Sequence, residues 1–365
     1  MNLTEREREI VALLRRDPLI GSAAIAEALG TTRAAVNVHL SNLTRKGVVL
    51  GRGYLLREGE SVVVVGGANM DIKARSARAA VTATSNPGAA AMAAGGVGRN
   101  IAENLARLGT RTHLIARIGT DALGDQVLSA TSNAGVRIEH VARGAGSTGT
   151  YTAVLDANGE LVVAVADMAA TEMIDVEQVS EARDLVAAAS LVVLDGNLAT
   201  ATLSYALDLA AEVGTRVVLD PVSVPKAALL APLLDGERPV FAITPNRDEL
   251  AALTDLPTRT RRQQELAVRA LHDRGVEVVW VRLGPAGSLL SAGDGIVTLG
   301  SVDTDVVDVT GAGDSMTAAF CHALLEGAEP AAAAAYGHAA AALTVASPHT
   351  VRPDLTDRLI RSLLP

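Results

Sequence analysis

The chain has 365 residues, 49% of them hydrophobic but only 2% aromatic, so its core has to be built from Ala, Val and Leu in the manner of helices packed on a parallel sheet. The net charge of −9 is uneven: residues 1–60 hold 9 Lys+Arg against 7 Asp+Glu, and the remaining 23 against 34 leave the large part at −11, which excludes it as an electrostatic grip on nucleic acid. The single Cys321 excludes an intramolecular disulfide and a Cys-rich metal site, and no stretch reads as a signal peptide or a membrane span, which together point to a cytoplasmic protein.

Taken in chain order, residues 1–58 form a unit of their own. Thr4 is placed to cap a charged helix, with Glu7 three residues on to complete a capping box and Ile10, Leu13 and Leu14 as the apolar stripe. A second short helix is predicted over 22–29 and a third over 33–46, with Val36, Leu40 and Leu43 facing inward, the spacing of a helix-turn-helix. Residues 48–56 alternate around Gly51-Arg52-Gly53 as a β-hairpin wing would. The unit resembles the winged helix-turn-helix modules of bacterial transcription regulators. In those the third helix enters the major groove, so Thr32, Arg33, Asn37 and His39, with Arg52 on the wing, are the candidate DNA contacts. A three-helix unit that binds another protein or serves dimerisation is the alternative.

Past residue 60 short apolar runs at 62–65, 112–117, 191–194, 216–219, 241–244 and 276–281 alternate with helical stretches at 99–108, 121–134, 201–211, 247–252 and 261–272. That pattern predicts a doubly wound sheet with helices on both faces. Residues 149–165 interrupt it with two strands joined at an Asn-Gly turn, an inserted hairpin of the kind that forms a lid. The alanine run 331–335 is expected in short amphipathic helices bounded by Pro330 and Gly337.

Several motifs fall just after strands, where such a fold places ligands. Asn69, Asp71 and Lys73 alternate along an extended segment, so their polar groups can point to one side. Gly95-Gly96-Val97-Gly98-Arg99-Asn100 leads into a helix and reads as following a loop. Asn246 to Glu249 opens another helix, which Asn246 could simply cap, and Leu283-Gly284-Pro285-Ala286-Gly287 is a glycine turn. The run Asp308-Val-Thr-Gly-Ala-Gly-Asp314 ends at the first turn of a helix predicted over 315–325. Its unpaired N–H groups and the helix dipole suit a phosphate, beside which Asp314 can take a proton from an attacking hydroxyl. The plainer reading is a tight turn with a helix-capping carboxylate.

In this order the four motifs at 95–100, 246–249, 283–287 and 310–314 resemble the carbohydrate kinase family that includes ribokinase and adenosine kinase, over about residues 61–365. The resemblance implies a ribokinase-like three-layer α/β/α sandwich with a small β lid from about 68–94 and 146–168, behind the winged helix-turn-helix. It implies ATP and Mg²⁺, with Asp314 as base and Gly311, Ala312 and Gly313 as anion hole. Asn246 and Glu249 would organise Mg²⁺ through water, and Gly284, Gly287 and Thr310 would line the nucleotide site. Asp308 and the region of Ser347 fall where the family holds a monovalent cation, K⁺. The resemblance departs at Arg282, where relatives often carry a smaller polar residue or Lys. Finer likeness, at 68–73, 85–88, 95–104, 150–156, 166–168 and 220–223, is to the pseudouridine kinases of the family. It implies that Asp71, Gly95, Gly96 and Asn100 hold the ribose of a nucleoside and that Asn69, Lys73, Thr150 and Asp167 are the candidates for its uracil, although Lys73 could be solvated and Thr150 could only pair across the hairpin. The lids of this family often pair two subunits, so a homodimer is expected.

Overall fold

The computed structural model describes residues 3–17, 20–49, 60–144, 146–293 and 295–364. One compact unit takes the described residues up to Glu60 together with 187–189; the second takes 61–186 and 190 onward.

In the first unit α1 (Glu5–Arg16) starts at the expected capping box, in which the Thr4 hydroxyl accepts from the Glu7 N–H and the Glu7 carboxylate accepts from the Thr4 N–H at 2.8 Å. After α2 (Ser22–Ala28) comes α3 (Arg33–Arg45), whose cap Lys46 donates to the 2% exposed Glu7 at 2.7 Å and so ties the end of α3 to the start of α1. Ile10, Leu14, Ile25, Val36, Leu40 and Leu43 close a small core, with Leu13 only partly buried at its edge. The wing expected over 48–56, with Arg52, lies outside the described residues beyond Val49.

The second unit runs β1 (Ser61–Val65), β2 (Asn69–Ser76), β3 (Gly88–Gly95), α4 (Val97–Arg107), β4 (Arg111–Gly119), α5 (Ala122–Asn133), β5 (Arg137–Gly144), β6 (Thr150–Leu155) and β7 (Leu161–Asp167). Short helices α6 (Ala169–Glu172), α7 (Val176–Glu181) and α8 (Arg183–Ala188) lead to β8 (Leu191–Asp195), α9 (Thr200–Val213), β9 (Arg216–Asp220), α10 (Val224–Leu230), β10 (Val240–Ile243), α11 (Arg247–Thr254) and α12 (Arg261–His272). Then come β11 (Val276–Arg282), β12 (Ser288–Ala292), β13 (Gly295–Leu299), α13 (Ala312–Leu325), α14 (Pro330–Val345) and α15 (Asp357–Arg361).

Nine strands form one sheet in the order β13, β12, β11, β10, β9, β8, β1, β4, β5, parallel from β11 through β5 and antiparallel at the β12 and β13 edge. Its strands are apolar on both faces because helices cover both. Val62, Val64, Val193, Val218, Val278 and Trp280 pack with α4, α13 and α14, and their alternate neighbours are buried on the side of α9, α11 and α12. Chain order runs from β1 outward to β4 and β5, then returns to β8 and proceeds the other way. The β1/β8 boundary is therefore a topological switch point, and the loops beyond it form a crevice. A second sheet, in the order β3, β2, β6, β7, contains the Asn-Gly hairpin read from the sequence.

Three local expectations need correction. The glycine motif at 95 follows a strand, not a loop: β3 is Gly-Ala-Ala-Ala-Met-Ala-Ala-Gly, and alanine carries no strand signal of its own. Helix α4 begins at Val97, two residues early, and α13 begins at Ala312, three early, so the glycine turn is part of the helix start. Gly337 does not end a helix. It sits inside the 16-residue α14, where an added Cβ would lie 2.5 Å from the Trp280 ring, which stacks on Phe320 at 5.0 Å.

Candidate active site

A cavity of about 750 Å³ opens at the carboxyl ends of the central strands, a size that suits a small-molecule ligand. Asp220 at the end of β9, Asn246 and Glu249 at the start of α11, Arg282 at the end of β11, and Ala312, Gly313 and Asp314 in the first turn of α13 line its polar side. Val302, Val306, Ala341, Ala342 and Val345 line its apolar side, with Gly284 and Gly287 in the wall between.

The turn before α13 requires glycine. Gly311 caps the helix at φ +81°, and a Cβ there would run into the Thr350 carbonyl. In the first helical turn the Ala312 N–H donates to the Val309 carbonyl at 3.3 Å, and the N–H groups of Gly313 and Asp314 are left for a ligand. Asp314, in that turn, accepts from Asn100 Nδ2 at 2.8 Å, and Arg99 Nη1 donates to Asn100 Oδ1 at 3.1 Å, which fixes the way the carboxamide faces. Burial pushes the Asp314 carboxyl up to about 7, against the Asn100 hydrogen bond and with Asp220 and Asp195 nearby adding to the rise. A carboxylate poised there can exchange a proton near neutral pH.

Asn246 and Glu249 form a capping box: Asn246 N–H donates to Glu249 Oε2 at 2.8 Å, Asn246 Nδ2 to Oε1 at 2.7 Å, and Asn246 Oδ1 receives the N–H groups of Asp248 and Glu249. Helix capping and ligand binding are both open to this pair. Burial raises the Glu249 pKa while the Asn246 N–H and Arg282 pull it back. Each Glu249 oxygen retains one lone pair, so the carboxylate can hold Mg²⁺ or one of its waters. Among the described residues no three His, Cys, Asp or Glu side chains are grouped to hold an ion by themselves.

Outside the residues that line this cavity, β2 brings Asn69 and Asp71 together, Nδ2 donating to Oδ1 at 2.7 Å, and the Asp71 carboxylate faces Gly95, where a Cβ would strike it. Burial raises the Asp71 pKa against its Asn69 hydrogen bond. Gly96, at φ +98°, and Gly98 press on Gly66 to Ala68: these glycines admit neighbouring backbone. Lys73 reaches away from Asn69. Its Nζ donates to Asp308 Oδ2 at 2.6 Å and to Thr310 Oγ1 at 3.2 Å, while the Thr310 N–H and hydroxyl both donate to Asp308 Oδ1. Burial disfavours the Asp308 charge, but Lys73 and Thr310 outweigh it and hold that carboxyl below its usual range. The cation on Asp308 in this structure is thus the chain's own ammonium. Val307 and Asp308 donate to the Val345 carbonyl, which brings the loop beside Ser347. Thr150 pairs with Asp167 across β6 and β7, and Asp167 lines a separate, small cavity with Arg117 and Met173. On the first unit Thr32, Arg33 and Asn37 are exposed and His39 half-buried; Thr32 caps α3 and Arg33 Nε donates to Ser22 at 3.1 Å.

Sequence reading missed Asp195 and gave Asp220, within the likeness at 220–223, no role. Both end a parallel strand in the tetrapeptide Val-Val-Leu-Asp, and a carboxylate at that place was the available signal. Asp195 is fully buried and accepts from Gly67, Gly98 and Asn197 N–H at 2.9, 3.0 and 2.8 Å, clamping β1's loop to the start of α4. Asp220 accepts from Val222 N–H, from the Thr244 and Thr317 hydroxyls and from Arg282. Val222, a β-branched residue at φ +66° in the cavity wall, holds a strained turn.

Comparison with known proteins agrees with this geometry. The family described as pfkB family carbohydrate kinase matches residues 60–357, and winged helix-turn-helix DNA-binding matches residues 3–49. The uncharacterized sugar kinase YeiI of Escherichia coli is 36% identical over 100% of this chain and 99% of its own. Pseudouridine kinase of the same organism is 30% identical, covering 85% of this chain and 98% of its own. Among solved structures, ribokinase of Arabidopsis thaliana complexed with ribose and ATP superposes with a TM-score of 0.74 at 29% identity, over 84% of this chain and 99% of that one. The chain therefore belongs to the pfkB family of carbohydrate kinases, phosphotransferases whose acceptor is an alcohol.

Proposed function

We propose that the protein transfers the γ-phosphoryl group of ATP to the 5′-hydroxyl of pseudouridine, giving pseudouridine 5′-phosphate and ADP. The observation that carries the chemical part is Asp314, poised near neutral pH in the first turn of α13 and joined by Asn100 to the acceptor side. In this reading Asp314 takes the proton of the acceptor hydroxyl as the O–P bond forms and the bond to ADP breaks. Gly311, Ala312 and Gly313 present N–H groups to the phosphoryl oxygens. Mg²⁺, when bound, would supply charge neutralisation for the phosphates. Glu249 and Asn246 would receive its waters, Gly284, Gly287 and the apolar wall would hold the nucleotide, and Thr310, outside that lining, would join them. The acceptor ribose lies against Asp71, Gly95, Gly96 and Asn100, and Asn69 faces the base. Pseudouridine is favoured because the uracil, with two N–H donors and two carbonyls, needs partners of both kinds, such as Asn69 supplies, and because a pseudouridine kinase is among the relatives at 30% identity. A ribose kinase is the second reading, resting on the ribokinase likeness. Initial rates with ATP and Mg²⁺ across pseudouridine, uridine, inosine and ribose separate them: equal rates with pseudouridine and uridine would sink the first.

The division of labour proposed for the chain is a kinase over 61–365, with its lid at about 68–94 and 146–168, and a DNA-binding arm over 1–58 in a cytoplasmic homodimer. Exposed Thr32, Arg33 and Asn37 support the arm. Replacing Arg33 with Ala is expected to weaken binding to duplex DNA and to lower the slope of log K against log salt by about 1; an unchanged slope removes Arg33 from the contact set. The dimer is supported by the apolar outer residues of the second sheet.

A further inference from the structure

Arg282 lines the cleft, and its surroundings are unusual for a guanidinium. Its backbone is fixed: the N–H donates to Pro245 at 2.8 Å, and Arg282 bridges to Asn246 beside β11. Its side chain is 13% exposed and reaches over the first turn of α13, where Nη1 would lie 2.8 Å from a Cβ at Gly313. Glycine at 313 thus leaves the space that the guanidinium takes. A cation at the positive end of a helix is repelled by it unless an anion joins them.

The anions present hold it loosely. Arg282 donates to Asp220 at 3.2 and 3.4 Å and stands 3.7 Å from Glu249, all longer than the 2.7–2.9 Å usual between charged partners. A guanidinium has five donors, so most are left for another acceptor. The charges of the cavity point the same way. Among the described residues lining it, Arg282 is the only Lys or Arg, against the carboxylates Asp220, Glu249, Asp303 and Asp314. Among the described residues lining that cavity, a triphosphate meets positive charge at Arg282 and at the start of α13.

Resting on the kinase reading, we propose that Arg282 is a catalytic residue: its guanidinium, tethered by Asp220 and Glu249 across the space above Gly313, donates hydrogen bonds to the phosphoryl oxygens as the group passes from ATP to the acceptor. It exchanges no proton and forms no bond. Its charge acts on the transition state, where negative charge spreads over the equatorial oxygens. Asp220 is then a positioning residue, and the hydroxyls of Thr244 and Thr317 hold Asp220 in turn.

The test uses the full chain and the best acceptor of the panel. Arg282→Met is expected to lose about 10²–10³-fold in kcat, the usual cost of one transition-state donor, while KM for ATP changes less than about fivefold. Arg282→Lys keeps a charge for Asp220 and Glu249, so it is expected to retain the wild-type unfolding temperature yet lose about tenfold in kcat, since the fork geometry is gone. Millimolar guanidinium is expected to restore part of the kcat of Arg282→Ala and none to the wild type. A folded Met variant with kcat within about threefold of wild type overturns the proposal, as does a Lys variant with wild-type kcat. If the wild type phosphorylates no acceptor, the kinase reading itself has failed; if it turns over and the variants do too, only the role of Arg282 has.

Discussion

The phosphoryl side of the site and the second sheet, the proposed acceptor side, are built differently. On the phosphoryl side Asp220 alone takes hydrogen bonds from Val222, Thr244, Thr317 and Arg282, and Asn246 and Glu249 satisfy each other as well as the start of α11. On the acceptor side the second sheet turns Met92, Leu161, Val162, Val163 and Val165 outward at 48–62% exposure, and Lys73 ties it to the glycine turn with a half-exposed ion pair. A heavily cross-bonded wall tolerates few residue types at each position, whereas a sheet edge with one tether tolerates many. This is why the chemistry of the chain is easier to read than its acceptor.

Removing the base breaks the stronger side where it matters most. Asp314→Asn is expected to lower kcat by about 10²–10⁴-fold with KM nearly unchanged, read by phosphate transfer. The same variant probes the cost of the carboxylate. A carboxyl raised to about 7 in the folded state favours folding below its unfolded pKa, and that contribution is lost as pH rises through about 7. The unfolding temperature gained by Asp314→Asn should therefore grow from about pH 4 to pH 7 and level off above, the lower limit being the ordinary aspartate pKa; a gain independent of pH contradicts the assignment.

Asn100→Ala joins the two sides in a single measurement. The Asn100 hydrogen bond lowers the Asp314 pKa, so its loss raises it, and the acidic limb of kcat/KM moves to higher pH. Activity should fall more at pH 6 than at pH 8, and an unshifted limb separates Asn100 from the base. On the acceptor side, charging Val163 and Val165 to Lys is expected to turn a dimer into a monomer in size-exclusion chromatography with light scattering. A wild type already monomeric at micromolar concentration rejects that role for the sheet. The smallest effect is expected for Lys73→Met: the half-exposed pair contributes about 1 kcal/mol or less. Freed of its ammonium, Asp308 should make turnover more responsive to K⁺ than in the wild type, as rates with and without K⁺ at constant ionic strength will tell.

The sequence reading follows the same division. The glycine turn at 311–313, the helix start at Asn246 and the apolar strands were legible because each is local, a fixed spacing of residue types that the backbone demands. The alanine strand β3 was not, because its side chains express no preference and pairing with β2 decides it. Nor was the Lys73–Asp308 pair, whose partners are 235 residues apart. Asp195 and Asp220 lay in view at strand ends, but their importance is the number of N–H and hydroxyl groups that converge on them, which only the folded chain supplies.

The most direct measurement is the formation of pseudouridine 5′-phosphate from pseudouridine, ATP and Mg²⁺ by the wild type and by Asp314→Asn, beside uridine and ribose. The account predicts a clear preference of the wild type for pseudouridine and loss of that product in the variant. Undiminished turnover by Asp314→Asn, or no phosphorylation of any alcohol by the wild type, would contradict it.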